Sequence, residues 1–311
     1  MTRPSMLLIG AATVLLLGGG LEAALAEERK PLPPGFVYLK DVDPTIVQDI
    51  RYATPFNFTS APVPGYGGAE CVLLREVALA LKNAQEELRP QHLGLKVYDC
   101  YRPQRAVRAF VDWVKKPDSK GDERHYPRTQ RVDLVKLGYI SAASNHSYGT
   151  AVDLTLIARP REPSQTEPGK SYGSCIAPQA EREPDESMDM GTGFDCFDRQ
   201  SRNPALIDPA EPEAKDEAPD EAAAESAQSG GRLSPPQPGT TGLSNGSAPT
   251  TRSAPKLDIG EEQRNWRLAL FQVMTDHGFK GIRAEWWHYQ FGHIGRPLKS
   301  QDFVIPARAA P

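Results

Sequence analysis

Between residues 203 and 258 the sequence nearly loses its large apolar side chains, and this break constrains the fold more than any other feature. Pro, Ala, Glu, Ser, Gly and Thr dominate the segment. Such a composition cannot bury enough apolar surface to offset the conformational entropy that is lost on ordering. We therefore predict a disordered insertion at 203–258, within a single folded domain assembled from residues 34–202 and 259–305.

The first 26 residues have the organisation of a secretory signal peptide. Arg3 precedes an uncharged apolar run that ends in Ala24, Leu25 and Ala26, directly before Glu27. The run is shorter than the roughly 20 residues of a typical membrane span. We expect a soluble, exported chain that has no transmembrane segment once mature and resides in the periplasm. An uncleaved N-terminal anchor is the alternative.

Export changes the interpretation of the cysteines, which stand at positions 71, 100, 175 and 196. In an oxidising compartment cysteines form disulfides more often than metal sites, and no C-x-x-C pair suggests a zinc ribbon here. Three pairings are possible. We favour Cys71 with Cys100 and Cys175 with Cys196, because these pairs join neighbouring segments.

The formal net charge of −4 is dominated by acidic side chains in 208–226, inside the predicted insertion. The rest of the chain is slightly basic. It contains no cluster of basic side chains interleaved with aromatic ones, which argues against a nucleic-acid partner.

Hydrophobic spacing predicts helices and strands on both sides of the insertion. The predicted helices cover 70–88, 104–114 and 261–279, with Pro103 in the first turn of the second and Gly278 as the C-cap of the third. The predicted strands lie within 36–54, where one reaches Tyr52, and at 94–101, 150–157 and 284–291.

Two distant segments carry side chains that together can hold a metal. "SNHSYGTAVDLTL" contains His146 and Asp153, and "EWWHY" contains Glu285 and His288. Two histidines and an aspartate can form a three-ligand zinc site that leaves a fourth position for water. Glu285, kept off the metal, can then act as the base that takes a proton from that water.

The spacing between Glu285 and His288 imposes a geometric condition. Side chains three residues apart on a regular strand point to opposite faces. A bulge or a strand end near Trp286 and Trp287 is therefore required if both side chains are to face one cavity.

Hydrolysis through a tetrahedral intermediate also requires a donor for the developing oxyanion. Arg102, in "DCYRP", lies at the end of a predicted strand. Its guanidinium is always charged and can donate two parallel hydrogen bonds. We take Arg102 as the candidate, with a surface arginine as the structural alternative.

These motifs resemble those of a known family. "SNHSYGTAVDLTL" is similar to the S-x-H-x-x-G-x-A-x-D signature of the zinc D,D-peptidases that process cell-wall peptides, and "EWWHY" is similar to their E-x-W-H element. Tryptophan directly after the glutamate resembles the D-alanyl-D-alanine dipeptidases of the VanX type. Three further stretches agree in the right order, namely "DIRYATPFNF", "DCYRP" and "MGTGFD".

The resemblance implies one zinc ion per chain, with His146, Asp153 and His288 as its ligands. It implies Glu285 as general base and acid, and Arg102 as the group that stabilises the tetrahedral intermediate. The fold that it implies is a compact α+β domain, mainly an antiparallel sheet flanked by helices, of the kind shared with Hedgehog-like signalling domains.

The resemblance also places Ser144, Asp195 and Tyr52 in the substrate pocket. A carboxylate such as Asp195 could hold the free ammonium of a dipeptide. Asn57 lies in a matching motif without a firm role.

The leading hypothesis is zinc-dependent hydrolysis of D-alanyl-D-alanine to two D-alanines, in the turnover of cell-wall peptides. A zinc D,D- or L,D-carboxypeptidase that trims peptidoglycan stem peptides is one alternative. A non-catalytic cell-wall-binding protein with a structural zinc is the alternative of another class. The sequence leaves the oligomeric state open.

Overall fold

The computed structural model describes residues 31–161, 164, 170–207, 257–292 and 294–307. The described residues from Leu32 onward belong to one compact unit. The signal peptide predicted at 1–26 and most of the insertion predicted at 203–258 lie outside the described residues, so these two boundaries stay predictions. Within the described part of the chain, no helix is both long enough and apolar enough to cross a membrane.

The described residues form seven strands and four α-helices. The strands are β1 (Phe36–Tyr38), β2 (Val47–Gln48), β3 (Val72–Leu74), β4 (Leu93–Asp99), β5 (Ala151–Ala158), β6 (Phe279–Gly281) and β7 (His288–Phe291). The helices are α1 (Leu39–Val42), α2 (Arg75–Leu88), α3 (Gln104–Val114) and α4 (Glu261–Asp276).

The main sheet has five strands in the order β2-β4-β5-β7-β6, and β1 and β3 form a separate antiparallel pair. Only the β2–β4 pair of the main sheet is parallel, and its other pairs are antiparallel. Strands from before and after the insertion thus pair in one sheet. The mixed helix-and-sheet class and the mainly antiparallel pairing agree with the expected α+β fold.

β5 is the central strand, and its side chains are buried on both faces from Ala151 to Ile157. The apolar stripe of α2, which includes Val77, Leu81 and Leu88, is buried in the same hydrophobic core. Each buried Leu or Val side chain contributes roughly 1.5–3 kcal/mol relative to exposure. This core holds the strands of the sheet, and the side chains at the strand ends, in a fixed arrangement.

Two predicted helices agree closely with the structure. α3 covers the predicted residues 104–114, with Pro103 at the N-cap rather than inside the first turn. α4 ends at Asp276 and is followed by Gly278, whose φ of 86° lies in the left-handed region. Glycine adopts this conformation without the steric cost that a Cβ atom brings, as expected for a residue that closes a helix.

The strand expected within 36–54 is wrong as a continuous element. It is divided into β1, α1 and β2, and Tyr52 lies in a 3-10 turn at Arg51–Ala53. A turn at Asp43 separates α1 from β2: the Asp43 carboxylate accepts hydrogen bonds from both the backbone N–H and the hydroxyl of Thr45, across Pro44. Such an Asp-Pro turn overrides the local alternation of apolar side chains.

Two further predicted elements begin later than expected. The helix predicted at 70–88 starts at Arg75, because Val72–Leu74 pairs with β1 as β3. The strand predicted at 284–291 starts at His288. The structure also contains the favoured disulfides, Cys71–Cys100 and Cys175–Cys196.

Candidate metal centre and active site

Three neighbouring strands bring titratable side chains into one row. The β4–β5 ladder places Asp99 opposite Asp153, and the β5–β7 ladder places Asp153 opposite His288. Because β7 begins at His288, Glu285 precedes the strand and does not follow its alternation. The strand end that the sequence required near Trp286 and Trp287 is therefore present.

His146 reaches the row from a 3-10 turn at Asn145–Tyr148. Gly149 closes this turn with a φ of 71°, and a Cβ atom there would lie 2.4 Å from a ring carbon of Phe36. Both observations explain why the motif needs glycine at this position. The tight turn holds the imidazole in the interior, where it is only 1% exposed.

The ligand atoms of His146, Asp153 and His288 form a compact triangle. His146 Nε2 lies 3.2 Å from His288 Nδ1 and 3.3 Å from Asp153 Oδ1, and the latter two atoms are 3.0 Å apart. For metal–ligand bonds of about 2.0–2.1 Å, such separations correspond to angles of roughly 95–107° at the metal. The donor set therefore fits one ion of near-tetrahedral preference, and within the described part of the chain these three residues are the group that could hold a metal ion.

The orientation of the His146 ring is set by a hydrogen bond to the backbone. Its Nδ1 lies 2.6 Å from the carbonyl oxygen of Cys100. A carbonyl only accepts, so Nδ1 carries the proton and Nε2 keeps its lone pair for a metal. The Cys71–Cys100 disulfide anchors the residue that supplies this carbonyl.

Asp153 carries its negative charge at the centre of the group. Burial alone would raise the pKa of its carboxyl, but the adjacent His146 and His288 hold that pKa far below its usual value. One carboxylate oxygen belongs to the ligand triangle, and the other accepts a hydrogen bond of 3.3 Å from Nη2 of Arg102.

Arg102 bridges two buried carboxylates. Its Nε donates to Oδ2 of Asp99 at 2.9 Å, and its Nη2 donates to Asp153. The guanidinium lies over the rings of Tyr52 and Phe110, 5.2 and 5.3 Å from their centroids. Among the described residues these two bonds use Nε and Nη2, and part of the fork of five N–H donors is left to bind a substrate oxygen.

Asp195 and Tyr52 form a second polar pair in the pocket. The Tyr52 hydroxyl donates to Oδ2 of Asp195 at 2.8 Å. Burial and the Asp195 carboxylate raise the pKa of Tyr52, so its hydroxyl keeps the proton that it donates. Burial also raises the pKa of Asp195 well above its usual value, and the charges of Asp153 and Glu285 add to the effect.

Asp195 is held in an uncommon backbone conformation, with a φ of 54°. Its carbonyl oxygen accepts a hydrogen bond of 3.0 Å from Nδ1 of His125, and the next residue, Cys196, is joined to Cys175. Left-handed backbone at a non-glycine residue persists where the surroundings enforce it, and it is concentrated at functional sites.

One pocket collects every side chain that the sequence placed in the site. The eight residues are Tyr52, Arg102, Ser144, His146, Asp153, Asp195, Glu285 and His288. Glu285 is half-buried there. The Ser144 hydroxyl makes no capping hydrogen bond to the turn that it precedes. Asn57 lies outside this lining and instead organises its own loop, where its amide donates to the carbonyls of Thr54 and Ala61.

Sequence reasoning missed two residues that shape the site. Asp99 is fully buried and accepts hydrogen bonds from Arg102 and from the hydroxyl of Tyr66, at 2.9 and 2.7 Å. His125, which belongs to none of the sequence motifs, supports the backbone of Asp195. Asp99 was available as the first residue of "DCYRP", whereas His125 carries no local signal.

Comparisons with known proteins agree with the geometry. Residues 33–217 match the peptidase M15 family model described as D-ala-D-ala dipeptidase. This range includes His146 and Asp153 but ends before Glu285 and His288.

Proteins named D-alanyl-D-alanine dipeptidase are similar to the chain. The one from Enterococcus faecalis is 27% identical over 82% of this chain and 91% of its own length. The one from Escherichia coli is 26% identical over 86% and 90%, respectively. The one from Streptomyces coelicolor is 41% identical over 39% of this chain and 60% of its own. Because the family model covers more than half of the sequence, the chain belongs to the M15 peptidase family, the family described as D-ala-D-ala dipeptidase.

Proposed function

We propose that this chain is a zinc dipeptidase that hydrolyses D-alanyl-D-alanine to two D-alanines in the turnover of cell-wall peptides. The observation that carries the proposal is the triangle of His146, Asp153 and His288, which lines the same pocket as Asp195 in a member of the M15 peptidases. The names of the relatives from three organisms support the choice of substrate.

Zinc is the metal that we assign to the triangle. Two imidazole nitrogens and one carboxylate oxygen are a donor set that catalytic zinc sites use, with a fourth position left open. When bound, zinc supplies a Lewis acid that lowers the pKa of a water molecule and polarises a carbonyl group.

Glu285 is the proposed general base and acid, and Arg102 the proposed oxyanion donor. Glu285 lines the ligand pocket without belonging to the ligand triangle, which suits a carboxylate that takes and returns a proton. Arg102 is fixed on one side by Asp99, so its remaining N–H donors are preorganised for a charge that develops during the reaction.

Asp195 is the proposed partner of the substrate ammonium. A buried carboxyl whose pKa is raised by burial and by neighbouring negative charge gains most from a cation placed beside it. A free dipeptide brings such an ammonium, whereas the stem peptide of peptidoglycan carries an amide at the equivalent nitrogen. Ser144 and Tyr52 complete this part of the pocket.

We also propose that the chain is exported to the periplasm. Two disulfides join all four cysteines of the chain, and disulfides persist in oxidising compartments. The apolar N-terminal segment of the sequence points in the same direction.

The test compares three substrates with the zinc-loaded protein: D-Ala-D-Ala, its N-acetylated form, and L-Ala-L-Ala. We expect rapid hydrolysis of the first and little hydrolysis of the other two. Preference for the N-acetylated form would contradict the dipeptidase hypothesis and favour a carboxypeptidase. A zinc-loaded protein that hydrolyses none of these or other D-amino-acid peptides would favour the non-catalytic wall-binding protein.

A further inference from the structure

Residues 301–305 form a segment, here called the strap, that follows the last strand and crosses the elements of the active site. Its first backbone N–H, from Gln301, donates to the carbonyl of Ser147 at 2.8 Å. Its last, from Ile305, donates to the carbonyl of Gly65 at 2.9 Å. The strap thus connects the turn that carries His146 with the loop before β3.

The strap caps the N-terminus of α3, directly after Arg102. The N-cap residue is Pro103, which has no side-chain acceptor, and the first N–H groups of a helix have no partner inside it. The N–H of Gln104 instead donates to the carbonyl of Gln301 at 3.1 Å, and the N–H of Arg105 donates to Oδ1 of Asp302 at 2.7 Å.

The carboxylate of Asp302 is held by two arginine side chains of α3. It accepts hydrogen bonds from Nε of Arg105 at 3.0 Å and from Nη2 of Arg108 at 2.9 Å. A carboxylate at a helix N-terminus also interacts favourably with the helix dipole. The side chain is 32% exposed, so its substitution leaves no buried cavity.

The same hydrogen bonds close a ring around Arg102. The backbone N–H of Arg102 donates to the carbonyl of His146 at 3.2 Å, and its carbonyl accepts from the hydroxyl of Ser147 at 2.8 Å. Ser147 and Gln104 both bind Gln301. The strap therefore holds the backbone on the C-terminal side of Arg102.

The residue on the other side of Arg102 is held by the strap as well. The Tyr101 ring stacks on Phe303 with centroids 4.0 Å apart, and its hydroxyl donates to the carbonyl of Phe303 at 3.1 Å. Close approach requires glycine in the facing loop, since a Cβ atom on Gly67 would lie 2.8 Å from the carbonyl oxygen of Ile305.

We propose that Asp302, through the strap, is a positioning residue for Arg102: capping α3 from outside the helix sets where the guanidinium stands relative to the metal ligands. The effect on catalysis rests on the proposed function, in which Arg102 is the oxyanion donor. The connection of Asp302 to the backbone around Arg102 does not depend on that function. A displacement of about 1 Å in a substrate-orienting group can lower a rate by roughly a hundredfold.

The test compares Asp302→Ala with Asp302→Asn in the full-length, zinc-loaded protein. Alanine removes the acceptor for the Arg105 N–H, and we expect kcat on D-Ala-D-Ala to fall about tenfold or more, with KM and zinc content nearly unchanged. Asparagine keeps that acceptor and should restore most of kcat. Glu86→Ala is the matched control, because it breaks an exposed ion pair, with Lys82, whose two residues both lie in α2.

Hydrogen exchange supplies a readout that does not depend on activity. In Asp302→Ala, the amides of residues 101–106 should exchange faster than in the wild type, while those of β5 stay protected. Gly67→Ala adds a Cβ atom against the carbonyl of Ile305 and so displaces the other end of the strap. It should likewise lower kcat and speed exchange at residues 101–106. Unchanged exchange at 101–106, or unchanged kcat with faster exchange, would overturn the proposal. An inactive wild type would contradict the dipeptidase function, and the exchange result would still decide the structural link.

Discussion

Asp153 lies directly opposite His288 in the β5–β7 ladder, with Oδ1 of the aspartate 3.0 Å from Nδ1 of the histidine. Both residues are thus positioned by the hydrogen bonds of a buried sheet rather than by a loop. His146 joins them from a short turn, and the carbonyl of Cys100 fixes the orientation of its ring. Sites on rigid elements hold ligand geometry more accurately than sites on loops, so we expect the triangle to be largely formed before a metal binds.

Glu285→Gln should separate catalysis from metal binding. The amide cannot take a proton from water, but Glu285 does not belong to the ligand triangle. We expect kcat to fall by roughly 10²–10⁴, the usual contribution of a general base, with zinc content near one per chain. Steady-state kinetics and elemental analysis of the same preparation measure both quantities. Full activity in a zinc-loaded variant would remove Glu285 from the role of base.

Tyr52→Phe should weaken substrate binding more than chemistry. The change removes the hydrogen bond of 2.8 Å to Asp195 and leaves the ring in its edge-on and tilted contacts with neighbouring aromatic rings. A hydrogen bond to a charged group contributes about 1.5–3 kcal/mol, so KM for D-Ala-D-Ala should rise at least tenfold while kcat changes little. A loss confined to kcat would mean that Asp195 does not hold the substrate ammonium.

His125 should make the protein less stable at low pH. Burial lowers the pKa of this imidazole from its ordinary 6.5 to about 4. Between these values the unfolded chain binds a proton that the folded chain does not, so the free energy of unfolding decreases as the pH falls from about 6.5 to 4.

His125→Asn provides the comparison, because its amide can still donate to the carbonyl of Asp195 but does not titrate. Thermal unfolding between pH 7.5 and 4 should show a shallower fall of the midpoint in the variant than in the wild type. Identical slopes would show that His125 titrates normally in the folded protein.

The Cys71–Cys100 disulfide should stabilise both the fold and the metal centre. It closes a loop with a sequence separation of 29, for which chain entropy predicts about 3–4 kcal/mol. Replacing both cysteines by alanine should lower the free energy of unfolding by that amount in urea titrations. It should also weaken zinc binding, because the carbonyl of Cys100 orients His146. A double variant with unchanged zinc affinity would leave the bridge a purely structural role.

The residues of the proposed metal site and its base could be singled out from the sequence because each lies in a short local motif. His146 and Asp153 share one stretch, and Glu285 and His288 share another. The alternation of side chains on a strand required a strand end near Trp286 if Glu285 and His288 were to face one cavity. β7 begins at His288, as this condition requires. α3 was equally accessible, since its apolar spacing and the preceding proline are local features.

What escaped prediction depends on contacts between distant parts of the chain. The division of 36–54 into separate elements reflects pairing with distant strands, β1 with β3 and β2 with β4. The contact of His125 with Asp195 and that of Asp302 with Arg105 join residues 70 and 197 positions apart. No spacing rule in the sequence connects such positions.

Whether His146, Asp153 and His288 bind one zinc ion is decided by a crystal structure of the zinc-soaked protein with anomalous differences measured at the zinc edge. We expect one strong peak, about 2.0–2.2 Å from Nε2 of His146, Nδ1 of His288 and Oδ1 of Asp153. A zinc peak at other residues in an active crystal, or full dipeptidase activity in protein whose zinc triangle is empty, would contradict this assignment.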